Sequence, residues 1–458
     1  MINDPEVFGI QLDGKILLYA PLHDLLALVN RSAAQEIFSA LKPSGETNGV
    51  TRPILERLRS PARPAPTPPS GNLEKPLFLG LIPTRGCNLA CVYCDFAADK
   101  TRSPVMSYQT ARAALDAYFD LLLSTGEPCA NVHFFGGEPF YSTRVVDFAV
   151  EYSELRARKE GFRLHFEVTT NGLFSPIRCQ WIASHFDTVV LSLDGPADLQ
   201  ERQRPALSRR ETFPVVDRTA RLLSESPVEL VLRVCVTNLN VSRLEEIAMW
   251  VLQEYRPSTV CFERLNPSRR SQSAGLFPPD PWEFTQNFDR AACLLESQGI
   301  ETVLSTAIVE KCQFSFCPVG KDALIVSPDG SIDACYLLKD DWESQGLDLH
   351  LGNLNGNGFD LEPAALQRIR DLSASNRLLC AGCLCRYHCA GGCHVHNDTS
   401  HSPGDYPEAC IQTRLVTVSK LLRKLGQAGL AKQYATERQD SQAFVFRQSD
   451  LLTDLEVI

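Results

Sequence analysis

Residues Thr84–Phe96 read TRGCNLACVYCDF and carry three cysteines, Cys87, Cys91 and Cys94, within eight residues. A disulfide framework or a zinc site normally draws on an even set. The stretch directly follows a strand-like apolar run, LFLGLIPT. Three thiols therefore stand on a loop at the C-terminal end of a strand, with no fourth cysteine beside them.

Working outward, apolar runs of strand length alternate with helical patterns from residue 77 to about 265. The runs are LFLGLIPT, NVHFFGG, LHFEVTT, TVVLSLD, LVLRVCVT and TVCFERL; stretches such as YQTARAALDAYFDLLLS and SRLEEIAMWVLQEY separate them. Six βα units predict an α/β fold with a parallel sheet, either open or closed into a partial barrel. RGCNLACVYC, GGEP, TTNG and SLDG each follow the C-terminal end of a strand. That is the face on which parallel α/β proteins build active sites.

Composition narrows the partners. A chain of 458 residues is long enough for two or three domains. The net charge of −10 and the lack of a basic stripe argue against nucleic acid. No run reaches the ~18 apolar residues of a membrane span, and the acidic start MINDPEVFGIQLDG lacks a secretory pattern. The expectation is a cytoplasmic protein without a membrane partner. Seventeen cysteines is an odd number. In a reducing compartment such bunched thiols point to metal or iron–sulfur ligation rather than disulfides.

The spacing Cys87-x3-Cys91-x2-Cys94 matches the CxxxCxxC motif of the radical S-adenosylmethionine (radical SAM) family. The resemblance implies that the three thiolates hold three irons of a 4Fe-4S cluster and leave the fourth open for S-adenosylmethionine. It implies reductive cleavage of that cofactor to a 5′-deoxyadenosyl radical, which takes a hydrogen atom from the substrate. It implies a (β/α)6 partial TIM-like barrel. By the same resemblance Gly136, Gly137, Glu138 and Pro139 of GGEP meet the methionyl ammonium. Thr170 and Asn171 of TTNG meet the ribose or carboxylate, Ser192 and Asp194 of SLDG take a comparable place, and Tyr93 lies beside the adenine. Zinc ligation is the competing reading of the triplet, and TTNG and SLDG are also ordinary strand-to-turn sequences. Arg233, on the fifth run, faces either cofactor or solvent.

A second block of cysteines follows: Cys317-x12-Gly330-x4-Cys335, then Cys380-x2-Cys383-x5-Cys389-x3-Cys393, then Cys410. This is similar to the seven-cysteine signature of SPASM domains, which hold two auxiliary 4Fe-4S clusters. Cys312 offers an eighth ligand. The resemblance implies one cluster on Cys312, Cys317, Cys335 and Cys393 and another on Cys380, Cys383, Cys389 and Cys410, three clusters in all. A pair of zinc sites is the alternative. Gly330, in SPDGSIDAC, reads as a hairpin turn. Cys385 lies inside the block as a surplus or substitute ligand. His394 and His396 read as structural.

In front of these segments, FGIQL and KILLYAP read as strands around the turn DGK; Ser32 then caps the helix AAQEIFSAL, and TRPILERLRS forms another. The order resembles the PqqD-like, winged-helix-like peptide-recognition module. A plain N-terminal extension is the alternative. The stretch 60–76 holds six prolines and reads as a linker. The expected division is a module at 1–59, the linker at 60–76, a radical SAM core at 77–265, a bridging region at 266–310, a SPASM domain at 311–412, and a C-terminal amphipathic helix and tail at 413–458.

The family resemblance implies a peptide maturase that crosslinks or oxidises a ribosomally made precursor peptide and takes electrons from a flavodoxin or ferredoxin. Sulfatase-maturing members carry an acidic base directly after the cysteine that closes the first SPASM hairpin. Here Tyr336 holds that place, with Asp333, Asp340 and Asp341 nearby. A small-molecule radical enzyme and a non-catalytic electron-transfer protein are the further alternatives.

Overall fold

The computed structural model describes residues 7–41, 49–94, 96, 103–356, 358–396, 405–436 and 445–446. The N-terminal strands β1 (Phe8–Leu12), β2 (Lys15–Ala20) and β3 (Leu25–Asn30) form an antiparallel sheet. The helices Arg31–Ala40 and Arg52–Arg59 follow. The first starts one residue before the expected cap: Asn30, not Ser32, accepts from Ala33 N at 2.8 Å. Asn30 is still extended, as an N-cap residue must be.

The main sheet begins at β4 (Leu79–Leu81) and runs through β5 (Cys129–Phe134), β6 (Arg163–Thr170), β7 (Thr188–Ser192), β8 (Glu229–Val236) and β9 (Thr259–Arg264). These six are parallel neighbours in chain order, as the alternating pattern predicts. Strand alternation explains which face carries the helices. In β8, Leu230, Leu232, Val234 and Val236 are buried against the helical layer, while Val231, Arg233 and Cys235 point the other way.

The sheet extends beyond the expected six strands at both ends. Residues 266–310, expected as a bridge, supply the helix Pro281–Glu296 and a seventh parallel strand, β10 (Glu301–Val303), beside β9. At the other edge β11 (Leu324–Val326) lies parallel to β4. It is followed antiparallel by β12 (Ser331–Asp333), β13 (His350–Asn355) and β14 (Gly358–Leu361). The result is an open eleven-stranded sheet, with β10 and β14 at its ends. Gly330 makes the β11–β12 turn at φ 88°, where a side chain would be strained. The β-strands of the first half of the cysteine-rich segment are therefore part of the main sheet and core, whereas residues 371–396 hold no strand or α-helix.

The C-terminal segment differs from the single amphipathic helix expected. A helix Glu408–Lys424 ends near Gly426, whose φ of 71° breaks it from a second helix, Ala428–Thr436. Gln412 to Leu422 are all buried, so the first helix has no solvent face over that length. Its Ser419 and Arg423 bond Asp289 of the helix Pro281–Glu296. Beyond residue 436 only β15 (Val445–Phe446) is described; it pairs antiparallel with β1. No described helix is long and apolar enough to cross a membrane.

Candidate functional site

The cysteine loop leaves the C-terminal end of β4. Cys87 and Cys91 are buried and cluster with Leu89 and Ala206, and Cys94 packs against them half-exposed. The loop lies along residues 203–207: Val92 N donates to Gln203 O at 3.0 Å, Ala90 N to Pro205 O at 2.8 Å, and Leu207 N to Asn88 O at 3.1 Å. Burial pushes the Cys87 thiol up to about 12, with the Glu138 charge adding to it, and Cys91 up to about 11. Buried thiols raised in this way become thiolates only beside positive charge, which a metal centre supplies.

GGEP fits into the back of this loop. Gly137 N donates to Thr84 O at 3.1 Å and Glu138 N to Gly86 O at 2.9 Å. A Cβ on Gly137 would stand 2.3 Å from Gly86 O, and one on Gly136, at φ 142°, 2.5 Å from Thr84 O. Glycine is needed here because two backbones touch. Glu138 is fully enclosed. Its carboxylate accepts from Thr170 Oγ1 and Asn171 N, both at 2.8 Å, and from Phe140 N at 3.1 Å, capping the turn that Pro139 opens. Burial outweighs these bonds and raises Glu138 to about 7. Asn171 continues the chain of contacts, with Nδ2 2.8 Å from Asn88 Oδ1 and 3.5 Å from Cys87 Sγ. The expected residues of GGEP and TTNG thus converge on the first cysteine.

The other side of the loop meets SLDG. Tyr93 donates to Asp194 Oδ2 at 2.6 Å, and Asp194 Oδ1 accepts from Cys235 N at 2.9 Å. Ser192 ends β7 in register with Arg233; no hydrogen bond of its side chain is seen among the described residues. Sequence reasoning missed Arg204. Its guanidinium carbon lies 5.8 Å from the centre of the Tyr93 ring, and the Asp194 and Cys91 charges bear on it. Arg204 Nε and Gln200 Nε2 are buried without a hydrogen-bond partner among the described residues. Unpaired buried donors are costly, so this wall suits a ligand that brings acceptor oxygens. The signal was in LQERQRP, where polar residues recur at helical spacing right after SLDG.

Residues 81–251 match the family model of the Radical SAM superfamily. They form a radical SAM domain. Among characterised proteins, the cysteine-type anaerobic sulfatase-maturating enzyme of Clostridium perfringens is 23% identical over 71% of this chain and 90% of its own length. The mycofactocin maturase MftC of Mycolicibacterium smegmatis is 23% identical over 74% and 84%. Among solved structures, anSMEcpe with bound AdoMet overlays with a TM-score of 0.58 at 17% identity, covering 78% of this chain and 99% of that one. Streptococcus suis SuiB bound to S-adenosylmethionine gives 0.50 at 14%, covering 89% and 99%. The chain is thus an enzyme of radical SAM fold, and that family implies S-adenosylmethionine and a 4Fe-4S cluster.

On the sheet face opposite the helices, the radical SAM domain meets the cysteine-rich segment. Phe78 stacks on His133 with ring centres 4.1 Å apart, and His133 Nδ1 is 3.7 Å from Glu167 Oε1. Tyr336 covers Gly80 and packs on Phe135 with centres 4.7 Å apart. The Glu167 charge bears on it. Arg233 points to this face, exposed, and its charge bears on Glu167 and Glu263. Arg85 joins the cysteine loop to the later segment by donating to Tyr336 O at 2.9 Å.

The C-terminal cysteines fall into two groups. Burial pushes Cys317 up to about 12, with the Cys393 charge adding to it, and burial raises Cys335, with the Cys317 and Cys393 charges adding. Cys380, Cys383, Cys389 and Cys410 line one cavity with Cys385, Tyr406 and Arg414. Arg414 lies over the Tyr406 ring at 4.2 Å and donates to Cys383 Sγ at 3.6 Å. A hydrogen bond from Cys385, then the Arg414 charge, lowers the Cys383 pKa. Cys385 has a further contact, 3.4 Å to Thr417 Oγ1. Among the described residues no three Cys, His, Asp or Glu side chains are close enough to share one metal ion; the thiols ring a space rather than a point. Cys312 does not join the first group. It is exposed, and the charges beside it are Arg63 and Asp24 of the N-terminal region. The expected set of eight thus stands as three, four and one.

Proposed function

We propose that this chain modifies a ribosomally made peptide, and that Cys87, Cys91 and Cys94 hold the cluster that starts the reaction. The observation that carries the reading is the convergence of the three thiols with Glu138–Asn171 on one side and Tyr93–Asp194–Arg204 on the other. When bound, the cluster and S-adenosylmethionine supply a 5′-deoxyadenosyl radical that takes a hydrogen atom from the peptide. The protein's share is position and dryness. GGEP holds the cysteine loop from behind, and Arg204 and Gln200 offer the donors an anionic carboxylate and a ribose accept. Tyr93 keeps Asp194 oriented.

The C-terminal thiols serve two auxiliary 4Fe-4S clusters, one of them on Cys380, Cys383, Cys389 and Cys410. Electrons reach the protein from a flavodoxin or ferredoxin. The N-terminal sheet leaves β3 unpaired on its outer edge among the described residues, an edge to which a peptide strand adds. Relatives described as maturases, and a SuiB structure described as bound to its precursor peptide, support a peptide substrate. Mass spectrometry of a short peptide encoded beside this chain and co-expressed with it tests the reading. A mass change that needs the three cysteines supports it, and no change with any such peptide counts against it.

Sulfatase maturation is the second reading, favoured by the likeness to sulfatase-maturating enzymes. Two of the nearby acids are engaged elsewhere: Asp333 pairs with His350 at 2.9 Å, and Asp341 accepts from Leu338 N at 3.2 Å; Asp340 is exposed. The carboxylate whose charge bears on Tyr336 is Glu167, on β6.

A further inference from the structure

Both faces of the N-terminal sheet are covered. In the β1–β2 pair, Phe8 lies opposite Tyr19 and Ile10 opposite Leu17. Strand alternation sends these four to one face and Ile16, Leu18 and Ala20 to the other. The second set packs on the module's own helices through Ala34, Ile37 and Phe38. The first set belongs to a different core. Phe8, Ile10, Leu17 and Tyr19 share a buried cluster with Cys383, Cys385 and Cys389, and with Val418 and Leu421 of the helix Glu408–Lys424.

A polar contact between described residues crosses this interface. The Tyr19 hydroxyl is 3.3 Å from His388 Nδ1, and the rings lie 5.7 Å apart. His388 is fully buried, precedes Cys389 directly, and has no partner for Nε2 among the described residues. Gln313 holds the same turn from the other side, donating to Tyr387 O at 2.7 Å and His388 O at 2.8 Å.

We propose that the N-terminal sheet is a wall of the second auxiliary centre, and that Tyr19 is a positioning residue that holds His388, and through it Cys389, in place. The proposal rests on reading Cys380, Cys383, Cys389 and Cys410 as ligands of one cluster. The sheet then does more than present a peptide: without it, three of the thiol-bearing residues lose their apolar cover. A phenol beside an enclosed imidazole fixes the ring next to the ligand, and neighbours of that kind tune a metal centre.

The test uses the full-length protein, reconstituted anaerobically, with iron analysis, electron paramagnetic resonance and redox titration of the three clusters. Tyr19→Phe keeps the ring and removes one hydroxyl. It is expected to retain full iron but to shift the spectrum and midpoint of one auxiliary cluster, leaving unchanged the cluster whose signal responds to S-adenosylmethionine. Leu17→Ala opens a hole in the wall and is expected to lose that auxiliary signal and about a third of the iron. Ile37→Ala loosens only the module's other core and is expected to leave the auxiliary spectrum as it was; an equal shift there would overturn the positioning role. If Cys383→Ala loses iron while Tyr19→Phe and Leu17→Ala match the native protein, the wall proposal is wrong and the cluster reading stands. If Cys383→Ala keeps all its iron, the cluster reading itself fails.

Discussion

The hydroxyl of Tyr93 donates to the Asp194 carboxylate at 2.6 Å, tying the cysteine loop after β4 to the end of β7, 101 residues later. Asp194 in turn accepts from Cys235 N at the end of β8. Three βα units are therefore pinned at the edge where the thiols stand. Removing the hydroxyl with Tyr93→Phe deletes a bond to a charged group, worth about 1.5–3 kcal/mol. The expected outcome is an affinity for S-adenosylmethionine roughly tenfold or more weaker, with the iron content of the native protein. Equilibrium binding and iron analysis on one preparation check both halves.

Gly137→Ala tests the back of the loop. The new methyl would overlap Gly86 O and Arg85 O, both backbone atoms that cannot rotate away. Overpacking of this kind costs about 1–3 kcal/mol, and the segment that yields carries Cys87. The variant is expected to lose about a third of its iron and to cleave no cofactor. Gly126→Ala, with open space around it but a φ of 72°, costs stability without touching the loop, and its iron content is expected to equal the native value.

Cys312→Ala separates the spacing argument from the fold. The thiol is exposed beside Arg63 and Asp24, whereas the Cys393 charge bears on both Cys317 and Cys335. The variant is expected to keep its iron and its auxiliary spectra. Loss of one cluster would return Cys312 to the ligand set.

His133 sets an acid limit. Burial lowers it from 6.5 to about 4. Above pH 6.5 the imidazole is neutral in both folded and unfolded chains and costs nothing; as pH falls toward 4 the unfolded chain takes the proton first and stability drops. The span is at most about 3 kcal/mol. Chemical unfolding at pH 7 and pH 4.5 is expected to show a smaller loss for His133→Phe than for the native protein, and an equal loss would remove His133 as the cause.

The parallel sheet was legible because strand and helix periods alternate cleanly from 77 to 265. The loops at its C-terminal edge carry short motifs whose order repeats that alternation. Arg204 was not legible, since its meaning comes from burial against Tyr93 and Cys91, residues more than a hundred positions away. The prolines of 60–76 suggested a module held apart from the rest. The counter-signal was ILLYA, Ile16–Ala20, an apolar run without alternation, which marks a strand buried on both faces. Cys312 shows the limit of spacing: five residues before Cys317, its thiol is turned toward a different part of the chain, because separation along the backbone carries no direction.

The central claim is that Cys87, Cys91 and Cys94 hold a cluster that cleaves S-adenosylmethionine. Anaerobically reconstituted protein, given dithionite and S-adenosylmethionine, is expected to contain about twelve irons and to release 5′-deoxyadenosine. The triple change of these cysteines to Ala is expected to remove about a third of that iron and all of the product. Zinc in place of iron in protein purified anaerobically from iron-replete cells, or undiminished 5′-deoxyadenosine from the triple variant, would contradict it.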